Sequence, residues 1–307
     1  MPEKKEKLVL IDAQAVLHRA WHALPKLTDP KGRVVNAVYG FTSLLLKLIH
    51  EQKPDYLAVA FDTKAPTFRH KKYKEYKAGR EKQPQEFYDQ IPLTKQILQS
   101  FNIPIFTLDG YEADDLIAAI IKEQKQKNIE LKSLIVTGDL DLLQLVDQQT
   151  SVYFLRQGLN QIKIYGPDDV RERFDLEPKQ LIDFKALRGD ASDNIKGVPG
   201  IGEKNALDLI KKFKNLENVY AYIESKEKQE SIKPTIIKIL KENKKQAILS
   251  KELVTIKQEI SGLNSEKLKP LNKMDYEKIS NTLKEFGFKS LMKRIGDFNL
   301  ANQTTLF

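Results

Sequence analysis

Cysteine is absent from all 307 residues. That excludes disulfides, a thiolate zinc site and a thiol nucleophile, and it suits a reducing cytoplasm. Long apolar runs are missing as well. No stretch approaches the roughly 18 residues needed to span a bilayer. The N-terminus, "MPEKKEKLVLIDAQ", starts basic and turns apolar, but the apolar part lasts only from Leu8 to Ile11 before Asp12 ends it. This is too short for the core of a signal peptide. Internal repeats and low-complexity blocks are also absent. These absences predict a soluble, cytoplasmic chain with no membrane partner.

Hydrophobic residues make up 41% of the chain, enough for a substantial core, and the length suggests about two domains. The net charge of +9 points to a polyanionic partner, most simply nucleic acid.

Apolar, β-branched runs occur at Leu8–Ile11, Tyr56–Phe61, Ile103–Leu108 and Leu134–Val136. Helical patterns such as "VVNAVYGFTSLLLKLIHEQ" and "DDLIAAIIKEQKQK" alternate with them, which predicts a parallel sheet covered on both faces. "SVYFLR" and "QIKIYG", separated by a few residues, read as a hairpin or edge strands. After about residue 170 the strand signal stops, and helical periodicity runs from "PKQLIDFKAL" onward. "DFNLANQTTLF" lacks periodicity and reads as a tail. The predicted fold is therefore α/β with a mostly parallel sheet over 1–170, an all-helical module over 171–292, and a tail over 293–307.

The chemistry gathers at strand ends. "VLID" ends in Asp12, "LAVAFD" in Asp62 and "LIVTGD" in Asp139, with Asp141 two residues later where the motif turns helical. In a parallel sheet all strand C-termini point to one edge, where ligands bind. "GYEADD" adds Glu112, Asp114 and Asp115 at the start of the next helix. Asp109 also ends a strand-like run and carries less weight. Taken singly, acids at helix starts are ordinary caps and dipole partners. Together they are costly, because two carboxylates about 4 Å apart repel by roughly 4 kcal/mol at an effective dielectric of 20. A cation must hold them together. Oxygen-only ligands suit Mg²⁺ or Mn²⁺ rather than zinc. An acidic metal cluster on a basic protein suggests two-metal phosphodiester hydrolysis.

Two further segments fit nucleic acid. "LRGDASDNIKGVPGIGEKNALDLIKKF" places Asp190 and Asp193 near a helix end, followed by a glycine-rich turn. Such a turn lets backbone N–H groups approach phosphate, with the next helix N-terminus adding to the attraction. This is helix-hairpin-helix grammar, with Lys204, Lys211, Lys212 and Lys214 alongside. "KAPTFRHKKYKEYKAGREK" carries eight Lys and Arg against two Glu. Within it Arg69, Tyr73, Tyr76, Lys77 and Arg80 recur at helical spacing, which predicts a cationic, tyrosine-bearing helix for a single strand.

These motifs together resemble the 5′ nuclease (flap endonuclease) family, in particular the N-terminal 5′→3′ exonuclease domain of bacterial DNA polymerase I. "FD", "TFRHKKYKEYKAGR", "EADD", "TGDLDLLQLV", "GDASDNI" and "GVPGIGEKNA" occur in the expected order between about Leu8 and Leu291. The resemblance implies a PIN-like α/β domain joined to a helix-hairpin-helix module. It implies two divalent ions held by acids matching Asp12, Asp62, Glu112, Asp114, Asp115, Asp139, Asp141, Asp190 and Asp193, and a monovalent cation at the hairpin. Segment 64–82 is expected to form the clamp through which the 5′ strand passes. There Lys77 and Arg80 contact the reacting phosphate, completing a catalytic set with Asp12, Asp114 and Asp141. Tyr76 is expected to stack near the scissile nucleotide, with Arg69 and Tyr73 beside it. Lys196, Gly197, Gly200, Gly202 and Lys204 are expected at the duplex.

The implied activity is 5′→3′ exonuclease and 5′-flap cleavage of DNA in replication and repair. Its substrate is a 5′ single-strand/duplex junction, and its partner is a polymerase or polymerase domain. The chain is expected to act as a monomer. Its length fits a free-standing nuclease and the first domain of a polymerase alike. Ala13, Asn36 and Lys196 depart from the family pattern, and none of these removes a carboxylate. Two rival classes are a non-catalytic, structure-specific DNA-binding protein and a PIN-type ribonuclease. The first is favoured by loss of an acid, and none is lost. The second does not need the hairpin, which is present.

Overall fold

The computed structural model describes residues 5–128, 130–225, 231–271 and 274–304. Its apolar runs fold as strands that alternate with helices. β1 (Lys7–Asp12) leads directly into α1 (Ala13–Ala23), and α2 (Asn36–Gln52) precedes β2 (Tyr56–Ala60). Two short helices follow, α3 (Phe68–Lys72) and α4 (Gln85–Tyr88), then α5 (Gln90–Ser100). β3 is reduced to Ile105–Phe106 before α6 (Ala113–Lys127) and β4 (Lys132–Thr137). β5 (Thr150–Gln157) and β6 (Gln161–Tyr165) form the expected hairpin.

The sheet order is β3-β2-β1-β4-β5-β6. The first five strands are parallel and β6 is antiparallel at the edge. Successive strand residues point to opposite faces. Leu8, Leu10 and Ile135 meet α6 on one face, while Val9, Ile11 and Val136 meet α1, α2 and α5 on the other. Burial on both faces explains why these strands read as unbroken apolar runs. The strand order reverses between β1 and β4. That reversal opens a crevice at the carboxyl edge of the sheet, and Asp12 and Asp139 stand beside it.

Beyond α7 (Pro167–Phe174) the chain is helical: α8 (Gln180–Arg188), α9 (Glu203–Phe213), α10 (Leu216–Glu224), α11 (Pro234–Glu242) and α12 (Lys244–Val254). Phe184, Leu187, Ile210, Val219 and Leu240 share one continuous core with the α6 face of the sheet. The last two helices, α13 (Tyr276–Glu285) and α14 (Lys289–Thr304), leave this group. Ile279, Leu283, Leu291 and Ile295 are buried in the opposite core, with α2 and α5. The helical module therefore does not pack as one body to residue 292. Nor is 293–304 an irregular tail, because Leu291 and Ile295 lie four residues apart on one buried helix face, and Arg294 donates to Ser43 Oγ at 2.9 Å. Residues 305–307 of that expected tail lie outside the described residues. Among the described residues no helix is long and apolar enough to cross a membrane.

Candidate active site

The carboxyl edge of the sheet opens into a cleft of about 820 Å³. Asp12, Asp62, Glu112, Asp114, Asp139, Asp141 and Asp190 line it, with Lys77, Arg80 and Lys185. Each acid is set by local structure. Asp12 ends β1 and caps α1, accepting from Ala15 N at 3.1 Å and Thr137 Oγ1 at 2.9 Å. Asp62 accepts from Ala113 N at 2.7 Å, which ties β2 to the start of α6. Glu112 caps α6. Asp139 accepts from Asp141 N at 2.8 Å, a tight turn that aims both acids at the cleft. The helix expected after Asp139 is a 3₁₀ segment, Asp141–Leu145, with Leu142 and Leu143 buried. Asp190 accepts from Ser192 N at 3.0 Å at the exit of α8.

Among the described residues, eight carboxylates line the cleft against five Lys and Arg side chains. The imbalance shows in proton affinity. Burial pushes Asp12 up to about 7, with Asp62 and Asp139 adding repulsion. Burial and then Asp139 push Asp141 up to about 7. Asp62 is raised by burial, and Asp114 is raised well above the carboxylate range by burial together with Asp115 and Glu112. Burial acts the same way on Glu112 and Asp190 but loses to neighbouring cations. Lys77 and Arg69 hold Glu112 below its ordinary value, and Lys185 holds Asp190 at about 2.

Among the described residues no three of these acids are gathered around one point. Cations stand between them instead. Lys77 Nζ reaches Glu112 at 2.8 Å, Arg80 pairs with Asp193, and Lys185 bridges Asp141 and Asp190, the latter at 2.6 Å. The donor set is oxygen-only, and four of its acids, Asp12, Asp62, Asp114 and Asp141, are under-neutralised. A hard divalent cation fits that chemistry.

Lys185 is absent from the sequence-based set. It lies in the last turn of α8, where a lysine usually signals only a partner for the helix dipole. Its spacing five residues before Asp190 is the one cue. Arg19 also lines the cleft, donating to Gly138 O at 3.3 Å. Asp109 is exposed and stands outside it.

Three expectations for segment 64–82 are corrected. The segment is not one helix: only α3 is helical, and Lys77 takes a left-handed conformation, φ 55°. That break is held by Lys77 N donating to Asp193 O at 3.0 Å. Arg69 and Tyr76 face inward. Tyr76 is 3% exposed and its hydroxyl donates to Glu112 and Asp193, both at 3.0 Å, so its ring offers no surface to a base. Arg69 is hydrogen-bonded to Asp115, with Glu112 at 3.5 Å and Asp114 at 4.0 Å beside it. Asp115, expected on the metal rim, is buried beneath it and does not line the cleft. Asp193 lies at the cleft's edge, tied to Tyr76 and Arg80. Tyr73 is half-buried, with its hydroxyl on Glu75.

The hairpin glycines divide by role. A Cβ on Gly197 (φ 62°) would stand 2.2 Å from Gly189 N, so this glycine permits two backbone strands to touch. A Cβ on Gly200 (φ 87°) would meet Ile239 of α11 at 3.2 Å. Gly197 is buried and serves packing, while Gly200 is exposed with its left-handed backbone beside Ile239. Gly202, at the N-cap of α9, has nothing within 4 Å of a Cβ and faces open space. Lys204 is exposed beside it, while Lys196 pairs with Glu75 at 3.2 Å.

Residues 7–175 match the family described as "5′-3′ exonuclease, N-terminal resolvase-like domain", and residues 176–277 match "5′-3′ exonuclease, C-terminal SAM fold". DNA polymerase I of Bacillus caldotenax is 41% identical over 291 residues, covering 95% of this chain and 32% of that protein. DNA polymerase I of Bacillus subtilis is 40% identical, covering 97% of this chain and 33% of that protein. The chain thus spans about a third of the length of the curated relatives it matches. Among solved structures, the T5 protein co-crystallised with metal ions aligns with a TM-score of 0.68 at 21% identity, covering 95% of this chain and 98% of that one. The bacteriophage T5 flap endonuclease in a pseudo-enzyme-product complex with DNA and metal ions aligns at 0.67 with 20% identity, covering 95% and 97%.

Proposed function

We propose, from the premise that the chain belongs to the 5′-3′ exonuclease family, that it is a metal-dependent 5′→3′ exonuclease and 5′-flap endonuclease acting on DNA. The observation that carries this reading is the acidic cleft: chain-distant carboxylates at one sheet edge, oxygen-only, and in excess over their cations. The metal-bound and DNA-bound T5 structures of the same fold support it.

Two divalent cations, Mg²⁺ or Mn²⁺, when held by Asp12, Asp62, Glu112 and Asp114 and by Asp139, Asp141, Asp190 and Asp193, supply a nucleophilic water at neutral pH and neutralise the scissile phosphate. The chain's own residues do the remaining work. Thr137 and the Ala15 amide hold the Asp12 carboxylate in orientation. Lys77 and Arg80, now on Glu112 and Asp193, turn to the phosphate oxygens where charge grows in the transition state. Burial alone would lower the affinity of Lys77 for its proton, but Glu112 and Asp193 keep it protonated. The open Gly202 edge and the α9 N-terminus bind duplex backbone without reading bases, with Lys204 beside them. A monovalent cation at the hairpin turn belongs to the same reading.

In this reading residues 1–170 carry the chemistry and the helices after them grip duplex. The single strand passes along 64–82, and the junction sits over the acids. DNA strands are directional, so a site that fixes both duplex and flap accepts one polarity. The chain is read as acting as a monomer. The nicked product suits a polymerase acting alongside.

The test is cleavage of matched 5′-flap, 3′-flap, nicked and single-stranded DNA in Mg²⁺, with a single-stranded RNA arm. Cutting near the 5′-flap junction is expected. Equal cutting of 3′- and 5′-flaps overturns the polarity. Preferred cutting of RNA identifies a PIN-type ribonuclease, and tight flap binding without any cleavage a non-catalytic binder.

A further inference from the structure

We infer that Arg69 and Asp115 form a positioning pair rather than part of the metal ligand set, and that the pair holds the acids of α6 in register with those at the end of α8. The inference rests on the metal-dependent reading above.

Arg69 is 1% exposed, and each of its guanidinium nitrogens is used. Nη1 and Nη2 donate to Asp115 at 2.7 and 2.9 Å. Nε donates to Leu253 O at 2.9 Å and Nη2 also to Thr255 O at 3.1 Å. Phe68 covers the plane, 4.5 Å from ring centroid to guanidinium carbon. Asp115 is equally committed. Besides the two bonds from Arg69 it accepts from Glu112 N at 3.1 Å and Lys257 N at 2.8 Å. A carboxylate offers about four lone-pair sites, and here four donors occupy them. Asp114 differs: it lines the cleft and accepts from Asp115 N at 2.7 Å, with Arg69 farther off at 4.0 Å, as Arg69 is from Glu112 at 3.5 Å.

The pair joins three chain-distant pieces. Arg69 lies on α3, eight residues before Lys77. Asp115 lies in the first turn of α6, beside Glu112 and Asp114. Leu253 and Thr255 lie at the end of α12, where helix carbonyls lack internal partners. α12 packs along α8, and α8 ends just before Asp190. One guanidinium therefore sets the spacing between the two groups of acids and of Lys77 to both. Only a planar fork with five donors satisfies a bidentate carboxylate and two carbonyls at once, so lysine is not an equivalent here.

The experiment titrates the full chain with Mn²⁺ alone, following free Mn²⁺ by paramagnetic resonance, and then measures single-turnover cleavage of a 5′-flap. Asp115→Asn is expected to bind as many Mn²⁺ ions as wild type, whereas Asp114→Asn loses one. Cleavage by Asp115→Asn at saturating flap is expected to fall about 10²-fold, the cost of a misplacement near 1 Å, with flap affinity unchanged. Arg69→Lys keeps the buried charge and gives the same comparison should Asp115→Asn not fold. In Arg69→Ala, guanidinium ion at concentrations that leave the circular dichroism unchanged is expected to restore part of the rate, and ammonium is not. Loss of an ion from Asp115→Asn, or an undiminished rate, overturns the pair's role while leaving the function intact. A wild-type chain that binds no Mn²⁺ overturns the functional reading itself, and the pair with it.

Discussion

Removing Lys185 isolates the electrostatics of the cleft from its chemistry. Its ammonium lies between Asp141 and Asp190, at 2.6 Å from the latter. It is the strongest influence holding Asp190 at about 2 against an ordinary 3.8. That gap corresponds to roughly 2 kcal/mol. Because the folded-state value is depressed, this stability is present above pH 4 and lost as pH falls through about 2. Ser192 supplies part of it through its amide and hydroxyl, so about 2 kcal/mol bounds the Asp190 contribution from above. Asp190 is only 5% exposed, so solvent screening takes little away. In Lys185→Ala with chelator, melting at pH 7 should drop by up to roughly 3 °C, at about 2.1 cal/mol/K of unfolding entropy per residue over 307 residues. A divalent cation supplies the same countercharge, so excess Mg²⁺ should remove most of the deficit. Thermal melts of wild type and variant in both conditions make the comparison. An equal drop with chelator and with Mg²⁺ would show that Lys185 serves packing rather than standing in for a metal.

Lys77→Ala should slow single-turnover flap cleavage by about 10²–10³-fold, the usual worth of an electrostatic stabiliser, with little loss of affinity; a purely binding defect in a quench-flow and filter-binding comparison would make Lys77 a phosphate anchor. Gly202→Val should weaken duplex binding in a chain of wild-type melting temperature, whereas Gly200→Val should lower the melting temperature through its φ of 87° and its contact with Ile239; anisotropy and thermal melts separate the two, and the opposite pattern would move the phosphate contact to Gly200. The chelated protein should lose stability as pH rises from about 4 to 7 and then level off, because Asp12 and Asp141 keep their protons to about 7 when folded but release them near 4 when unfolded. Excess Mg²⁺ should flatten that fall, and a chelated protein that gains stability over this window would contradict the under-neutralised cleft.

The acids are legible in the sequence because of one geometric rule. Strands of a parallel sheet end on a common edge, so Asp12, Asp62 and Asp139 must converge whatever the loops do. The errors arise where tertiary contacts override local spacing. Helical spacing puts Arg69, Tyr76 and Lys77 on one exposed face, but the helix ends at Lys72, Lys77 takes a left-handed turn held by Asp193, and Arg69 and Tyr76 turn inward to Asp115 and Glu112. Asp114 and Asp115 are neighbours in sequence, yet about 100° apart around α6, and only the fold decides which of them meets Arg69. Lys185 is hidden by an innocent explanation, since basic residues are common in last turns. The glycines of "GVPGIG" look alike in sequence, but Gly189 and Ile239, from elsewhere in the chain, determine which of them face protein. The end of the chain looks aperiodic in sequence, yet α14 runs to Thr304, with Leu291 and Ile295 on one buried face.

The central claim is that these carboxylates hold the ions that hydrolyse DNA. Its most direct test measures binding and single-turnover cleavage of one 5′-flap substrate in Mg²⁺ by wild type, Asp114→Asn and Asp141→Asn. Wild type should cut near the junction, and both variants should bind the flap at near wild-type affinity while cleavage is nearly abolished. Wild-type turnover in either variant at saturating Mg²⁺ would contradict the claim.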